Sequence, residues 1–582
     1  MPERVQHEVG RPARASGAVV VAGMHRSGTS LVAGLLAALG VDLGRRLIPA
    51  DRRNPRGYFE DAEIVEFHGR LFRALLPAAA RGHVDWGWSE EAELDREGLA
   101  AFAREARELA GERARTGRPW GFKDPRASLL LDFWVGCIDQ ARFVLVYRQP
   151  WQVADSMQRI GRRVFLEHPS YAYRIWEHYN RCLADFYERH SARCLLLDAG
   201  RLPQELERLR LLLTIKLGLE IGPAELGASY DPELFHSEGG DDPRADLVAT
   251  AYPECTRLLE RLDGLADISG GGTWRRRPPP RTLLGRPDPG RPVAISIVIP
   301  VHDDGVLLLD ALASVERCGS RDCELILVDD GSRDPETLRI LAALRGRGHF
   351  VVERENGGLS AARNTAIACA RGRYVLPLDA DNRLRPGFVE AAAAALASDP
   401  GLGVVYGDRQ LFGALQERVA VPEFELCKML AGNYIDACAL YRRELWEQAG
   451  GYDTAMTGLE DWEFWLGAGR RGWRFRHLDL VAFDYRVRPD SLLATSLVGR
   501  ARRRLMGHVL HKHVDAFHER LPAPLRALSS AACLLVPQRW QAGVRQAAAG
   551  LFWHPLWALV GPGGLLASDR RTRRALRESA ES

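Results

Sequence analysis

The stretch "AVVVAGMHRSGTSLVAGLLAALG", residues 18–40, decides the fold of the first half of the chain. The apolar run 18–22 predicts a buried strand, and 29–39 predicts a helix ended by Gly40. Between them lies "GMHRSGTS", residues 23–30, a glycine-bearing turn at a helix start. Unpaired backbone amides there carry partial positive charge and enclose a phosphate or similar anion. Gly23 and Gly28 have the glycine spacing of an ATP-hydrolysing phosphate loop. Thr29 stands where that loop needs lysine, and the positive charge sits earlier, at Arg26. Taken alone, the stretch also fits a merely structural turn.

A second segment narrows the ligand. "ARFVLVYRQPWQVADSMQR", residues 141–159, predicts a strand over 143–147, then Arg148, then a helix holding Ser156. An arginine at a strand end with a serine in the next helix grips a second anionic group. ATP needs no second clamp of this kind, whereas 3′-phosphoadenosine 5′-phosphosulfate (PAPS) carries a separate 3′-phosphate. At these residues the chain resembles the PAPS-dependent sulfotransferases, especially the bacterial carbohydrate-type branch, from about Ala18 to Asp198. The resemblance implies that Gly23, Arg26, Ser27, Gly28, Thr29 and Ser30 cradle the 5′-phosphosulfate, with Arg26 on the transferring sulfuryl group. It implies Arg148 and Ser156 on the 3′-phosphate.

Sulfuryl transfer to a hydroxyl or amine also needs a base. "NPRGYFEDAEIVEFH", residues 54–68, supplies Glu60, Asp61, Glu63, Glu66 and His68. Glu60 is the first choice and Glu63 the second; the alternative is the solvated face of a helix starting near Glu60. "GFKDPR", residues 121–126, offers Lys123, Asp124 and Arg126. A helix cap with a salt bridge and a contact to the phosphosulfate or an anionic acceptor are both open for it.

The second half follows a β-α-β-α progression. "AISIVIPVHDDG" (294–305), "CELILVDDGSRDPETLRIL" (323–341) and "NGGLSAARNTAIACARGRYVLPLDADNRLRPGF" (356–388) place carboxylates at the carboxyl ends of strands, where open α/β sheets bind ligands. Asp379 and Asp381 are spaced to hold Mg²⁺ or Mn²⁺ against a departing diphosphate. "GGYDTAMTGLEDWEFWLGAGRRGW", residues 450–473, offers Glu460 and Asp461 as a proton acceptor or as a helix cap. From about Ala294 to Ser491 these segments resemble the family-2 glycosyltransferases of the GT-A fold. The resemblance implies Pro300 and Asp330 at the nucleotide base, Asp329 supporting the turn, and Asp379 and Asp381 as ribose and metal carboxylates. It implies Asp461 as the general base of an inverting transfer, and Arg363, Asn364, Arg486 and Arg488 near the diphosphate. His302, His508, His511 and His513 lack metal-site company and read as ordinary surface or core residues.

Bulk properties bound the rest. A chain of 582 residues is too long for one core. Net charge is +3, which gives no global basic field and no argument for nucleic acid. Lysine is rare, with Lys123, Lys216, Lys428 and Lys512 the four present. The ten cysteines form no CxxC pair, as expected of a reduced, cytoplasmic protein. The first residues carry no apolar signal core, and the most apolar segment, 549–567, is broken by His554, Pro555 and Pro562.

The expected organisation is a flexible N-terminus (1–15), a sulfotransferase domain (16–266) and a Pro/Gly/Arg linker (267–292). A GT-A domain (293–497) and a helical C-terminal extension (498–582) follow. The fold class is α/β: a P-loop-type parallel sheet plus a Rossmann-like nucleotide-diphospho-sugar domain. Basic clusters at 499–505 and 569–577 fit either a solvated helical face or peripheral contact with the inner face of a membrane. The expected activity is bifunctional. PAPS and a nucleotide sugar serve as co-substrates, with Mg²⁺ or Mn²⁺, on a carbohydrate or glycolipid acceptor. The alternatives are a glycosyltransferase whose first domain only binds a nucleotide or glycan, and a P-loop kinase, which the missing lysine and the second clamp disfavour.

Overall fold

A computed structural model of the protein describes residues 18–51, 54, 57–77, 81–115, 118–219, 242–272, 293–318, 322–488, 499–536 and 538–560, the side chains of 499–500, 539–540 and 554–560 excepted. The expected N-terminal arm, the linker beyond residue 272 and the basic cluster at 569–577 lie outside the described residues. The described residues form two compact units. One falls within Met1–Ser156, Tyr171–Gly239 and Glu254–Trp274, the other within Met157–Ser170, Gly240–Pro253 and Arg275–Ser582.

The first unit is a parallel sheet with helices on its faces. Its elements include β1 (Ala18–Ala22), α1 (Thr29–Ala38), α2 (Ala62–Leu75), β2 (Trp120–Lys123), β3 (Arg142–Tyr147), α3 (Pro150–Ile160) and β4 (Cys194–Asp198). The strand order is β2-β1-β3-β4, and every pair is parallel. A parallel strand covered on both faces needs a continuous apolar run. β1 has one, with all its residues buried. Val32, Leu35 and Leu36 of α1 pack on Val19, Val21, Val144 and Leu195 of the sheet. The register sets Val21 beside Val144 and Ala22 beside Leu145. The segments leaving β1 and β3 therefore emerge side by side at one carboxyl edge. This is the crevice position where doubly wound sheets take ligands.

The second unit carries a mixed sheet of nine strands. These are β5 (Ile295–Val301), β6 (Cys323–Asp330), β7 (Val351–Arg354), β8 (Tyr374–Pro377), β9 (Arg383–Leu384), β10 (Leu402–Gly413), β11 (Glu417–Val419), β12 (Leu440–Arg442) and β13 (Arg474–Val487). The order is β9-β13-β10-β12-β8-β5-β6-β7, with β11 pairing β10. The run β8-β5-β6-β7 is parallel, so its carboxyl ends share one edge. Helix α4 (Leu359–Cys369) and helix α5 (Glu460–Arg470) bring further polar residues to the site described below. Trp462, Phe464, Trp465 and Tyr441 are buried in the same cluster as Val298 and Val328. Helices α6 (Ala523–Leu534) and α7 (Gln538–Val560) follow. The architecture is the α/β class expected from the alternation of strands and helices.

Candidate functional sites

In the first unit the turn after β1 is held in a conformation that few residues adopt. Gly28 has φ 91° and Arg26, a non-glycine, has φ 67°. A left-handed arginine is strained, and strain of this kind gathers at ligand-binding turns. At Gly23 a Cβ would lie 2.2 Å from the carbonyl oxygen of Val146, so only glycine lets the turn lie this close to β3. The Gly23 amide donates to Ser128 Oγ (2.9 Å), which ties the turn to the segment after β2. Asn54 donates to Ser30 Oγ (3.2 Å), tying the first turn of α1 to residues before α2. Ser27 is fully buried, and its hydroxyl has no hydrogen-bond partner. A buried hydroxyl left unmatched costs about 1–3 kcal/mol unless something supplies a partner.

The two anion motifs meet. Arg26 Nε donates to Ser156 Oγ at 3.0 Å, across 130 residues of sequence. Ser156 sits in α3 and is nearly buried. Arg148 is also nearly buried; its Nε donates to Gln152 Oε1 (2.7 Å), and its carbonyl accepts from Trp176 Nε1 (2.8 Å).

The acidic residues around α2 separate by their partners. Asp61 caps α2, accepting from the Glu63 amide (3.1 Å), and pairs with buried Arg113. Glu63 also reaches Arg113 (3.0 Å), and Glu66 forms an exposed pair with Arg46. His68 is fully buried, with Nδ1 on Asp124 (2.8 Å) and Nε2 accepting from Trp134 Nε1 (3.1 Å). That accepting Nε2 fixes the neutral tautomer. Burial lowers the imidazole pKa in spite of Asp124 beside it. His68 is thus a core residue. Asp124 also binds Arg126, whose amide it caps (2.9 Å). Glu60 keeps a partly exposed carboxylate, ion-paired to the buried Lys123.

Sequence reasoning passed over Asp198, at the carboxyl end of β4. It is buried, accepts from the Gly200 amide (2.9 Å), and burial pushes its pKa up to about 6. A strand ending in aspartate was the available signal.

In the second unit, Pro300 lies near the end of β5, paired in register with Val328 of β6. Asp329 accepts from the Ser332 amide (2.9 Å) and so holds the turn after β6. Asp330 is buried, and its carboxylate takes Arg354 and the amides of Gly357 (3.1 Å) and Gly358 (2.8 Å). It holds that loop in place. After β8, Asp379 accepts from Arg363 Nη2 (2.7 Å) and the Asp381 carboxylate lies 3.2 Å from Arg488 Nε. Arg488 also binds Asp304 (2.7 Å).

Three further residues expected near the diphosphate have protein partners. Arg363, on α4, is buried between Asp379 and Glu460. Asn364 uses its amide on Tyr452 O (2.8 Å) and accepts from Trp446 Nε1 (2.9 Å). Arg486 is buried on Asp310 (2.9 Å) and the Asp381 carbonyl (2.9 Å). Arg363 and Arg486 are thereby bonded to the acidic turn, at the Asp379 carboxylate and the Asp381 carbonyl.

Asp461 stands at the start of α5. Its Oδ2 accepts from Asn433 Nδ2 (2.8 Å) and its Oδ1 from the Trp462 amide (2.8 Å). Burial, then the nearby charges of Glu460 and Asp436, push its pKa well up. Glu460 is committed to Arg363 (2.5 Å). Asp436, whose carboxylate accepts from the Cys438 amide (2.9 Å), is likewise pushed up by burial and by Asp379. Asp381 is pushed up to about 7 by burial, with Asp304 and Asp379 adding to it against Arg488. Asn433 and Asp436, in "GNYIDAC" (432–438), were not read as site residues from sequence. The histidines without metal company have ordinary partners: His508 on Asp453 (3.0 Å), His513 on Glu463 (2.9 Å) and His511 on Gln546 (3.0 Å).

Comparison with known proteins gives a separate match for each part of the chain. The description "Sulfotransferase family" matches residues 18–202, and "Glycosyl transferase family 2" matches residues 296–449. Among relatives, the Uncharacterized protein y4gI of Sinorhizobium fredii is 29% identical over 211 residues, 35% of this chain and 23% of that protein. Chondroitin synthase of Pasteurella multocida is 22% identical over 293 residues, 44% of this chain and 29% of that protein. The Uncharacterized glycosyltransferase EpsJ of Bacillus subtilis is 30% identical over 214 residues, 34% of this chain and 62% of that protein. The chain therefore spans less than a third of the length of the first two. Among solved structures, S. aureus TarS 1-349 in complex with UDP-GlcNAc has a TM-score of 0.32 and 17% identity, covering 45% of this chain and 90% of that one. The mannosyltransferase PcManGT from Pyrobaculum calidifontis, in complex with GDP-Man and Mn²⁺, has a TM-score of 0.31 and 20% identity, covering 58% of this chain and 94% of that one.

Proposed function

A sulfotransferase-family domain and a family-2 glycosyltransferase domain share this chain, and from that premise we propose a two-site transferase of polysaccharide or glycolipid biosynthesis. One site moves a sulfuryl group from PAPS to a carbohydrate-type acceptor. The other moves a sugar from a nucleotide sugar with inversion. The observation that carries the first activity is the 3.0 Å contact between Arg26 and Ser156. It supports one cleft for both anionic ends of a single nucleotide.

In the sulfuryl transfer, the loop amides and Arg26 offset charge on the leaving phosphate, Ser27 Oγ donates to an anionic oxygen, and Arg148 and Ser156 take the 3′-phosphate. Glu60 accepts the proton from the acceptor hydroxyl, and Lys123 beside it orients the carboxylate. The Lys123 partner also favours a second reading, a first domain that binds without transferring, because the Glu60 carboxylate is already engaged in an ion pair. Replacing Glu60 by Gln separates the two: loss of sulfate transfer with nucleotide binding kept supports catalysis.

In the glycosyl transfer, Asp461 takes the proton of the attacking hydroxyl, with Asn433 holding one of its oxygens. Asp379 and Asp381 offer hard oxygen donors, the chemistry that Mg²⁺ and Mn²⁺ prefer. Burial drives Asp381 upward and the nearby carboxylates of Asp304 and Asp379 add to it, an environment that a bound cation would relieve. A divalent ion bound by these two would offset charge on the departing diphosphate. Thermal-shift titration tests the first site. Adenosine 3′,5′-bisphosphate stabilises the chain in proportion to its occupancy while ATP with Mg²⁺ does not. Equal stabilisation by ATP would favour a kinase.

A further inference from the structure

The C-terminal helices carry an apolar surface on the wrong side. α6 turns Leu525, Ser529 and Cys533 toward the protein and leaves Pro524, Leu528, Ala531 and Leu535 exposed. That spacing, with steps of four, three and four, is one helical face. Leu528 is 67% exposed, and Leu534 and Leu535 are each 86% exposed. The neighbouring α7 is tied inward by Ala549 and Trp553, with Trp553 Nε1 on the Phe517 carbonyl (3.1 Å). It leaves Ala542, Ala547 and Leu551 outward. Cys533 Sγ contacts the Gln541 carbonyl (3.5 Å), joining the two helices. Four of the eight large apolar side chains exposed among the described residues fall between 528 and 551. A concentration of that kind marks an interaction surface.

Charge says what covers it. The chain has 76 acidic residues in 582, yet none of residues 521–568 is Asp or Glu. The charges there are arginines: exposed Arg526 bonds the Glu519 carbonyl, and Arg545 pairs with Asp515 (3.1 Å). A protein partner would be met by mixed charge. An apolar face whose own two helices carry arginines and no carboxylate fits the headgroups and acyl boundary of an anionic bilayer. No helix among the described residues is long and apolar enough to cross a membrane, so the contact is interfacial. We infer that the outer faces of α6 and α7 dock this protein on an anionic lipid surface, with Leu528, Leu534, Leu535 and Leu551 inserting between headgroups. The basic clusters singled out from sequence are secondary to these leucines.

The test is flotation of the full chain with phosphatidylcholine vesicles, with and without phosphatidylglycerol. The parent floats with the anionic vesicles and retains part of its binding in high salt, because the leucine term is not screened. The double variant Leu528→Glu, Leu535→Glu floats about a hundredfold less well, each lost leucine being worth roughly tenfold. Its melting temperature is unchanged, since neither side chain packs in the core. Equal flotation of parent and variant, or none by the parent, overturns the inference. So does a parent that sediments as a dimer while the variant is a monomer, which would assign the face to a second copy. Vesicle binding that appears only after removal of residues 561–582 overturns it too, since the chain's own tail would then be the occupant.

Discussion

If Arg26 and Ser156 serve one ligand, their effects on its binding cannot add. The two side chains share the 3.0 Å hydrogen bond and face the same crevice. Arg26→Ala removes a guanidinium from beside a nucleotide phosphate; at about 4 Å and an effective dielectric of about 20 that is worth about 4 kcal/mol before solvent screening. Arg26 is half-buried, so about 2–3 kcal/mol remains, a loss of about thirty- to over a hundredfold in affinity. Ser156→Ala removes one charge-assisted partner and leaves Arg26 Nε without its acceptor, a cost of about 1–2 kcal/mol. In the double variant the second substitution costs less, because the arginine it would have freed is gone. Calorimetric titration of adenosine 3′,5′-bisphosphate into the four proteins should give a coupling of about 0.5–1.5 kcal/mol. Effects that sum within about 0.3 kcal/mol would mean that the motifs act on separate ligands, and the argument for a sulfonucleotide would fail.

Glu60→Gln should lower sulfate transfer about 10²–10⁴-fold while leaving adenosine bisphosphate affinity within a factor of about three, as a lost base does; an unchanged turnover would move the role to Glu63 or to the acceptor. Asn433→Ala removes a donor from the charged form of Asp461, so its pKa rises further. The acid limb of the sugar-transfer pH profile should move to higher pH; a uniform fall in rate without that movement would mean that Asn433 only packs. Asp198 is held above its ordinary range, up to about 6 from 3.8. The folded state therefore keeps a proton that the unfolded chain loses first, and stability falls as pH rises from about 4 to about 6. Asp198→Asn removes a penalty of up to about 3 kcal/mol at neutral pH and none below pH 4. Denaturant unfolding at pH 4 and pH 7.5 checks it, and a gain equal at both would refute it.

The parts legible in sequence are those that the chain settles locally. Strand β1, the glycine turn and the start of α1 follow from adjacent residues, and so do the carboxylates that end β6 and follow β8. Parallel pairing then brings loops from distant segments to one edge, so motifs read separately end up together. What sequence hid was burial and partnership. The family resemblance put Arg363 and Arg486 near the diphosphate, and nothing in the sequence showed what they pair with. Their partners Glu460 and Asp310 lie 97 and 176 residues away, and pairing turns both arginines into braces. His68 read as a base candidate until Trp134 and Asp124 claimed both ring nitrogens. Asn433 and Asp436 sit in a loop without regular pattern. Only the packing of α5 against it makes them neighbours of Asp461.

The most direct measurement is mass spectrometry of the glycans made by cells expressing the parent chain, Arg26→Ala or Asp461→Asn. The account predicts a sulfated product from the parent, the same glycan without its sulfate from Arg26→Ala, and loss of one sugar residue from Asp461→Asn. Identical glycans from all three would contradict it.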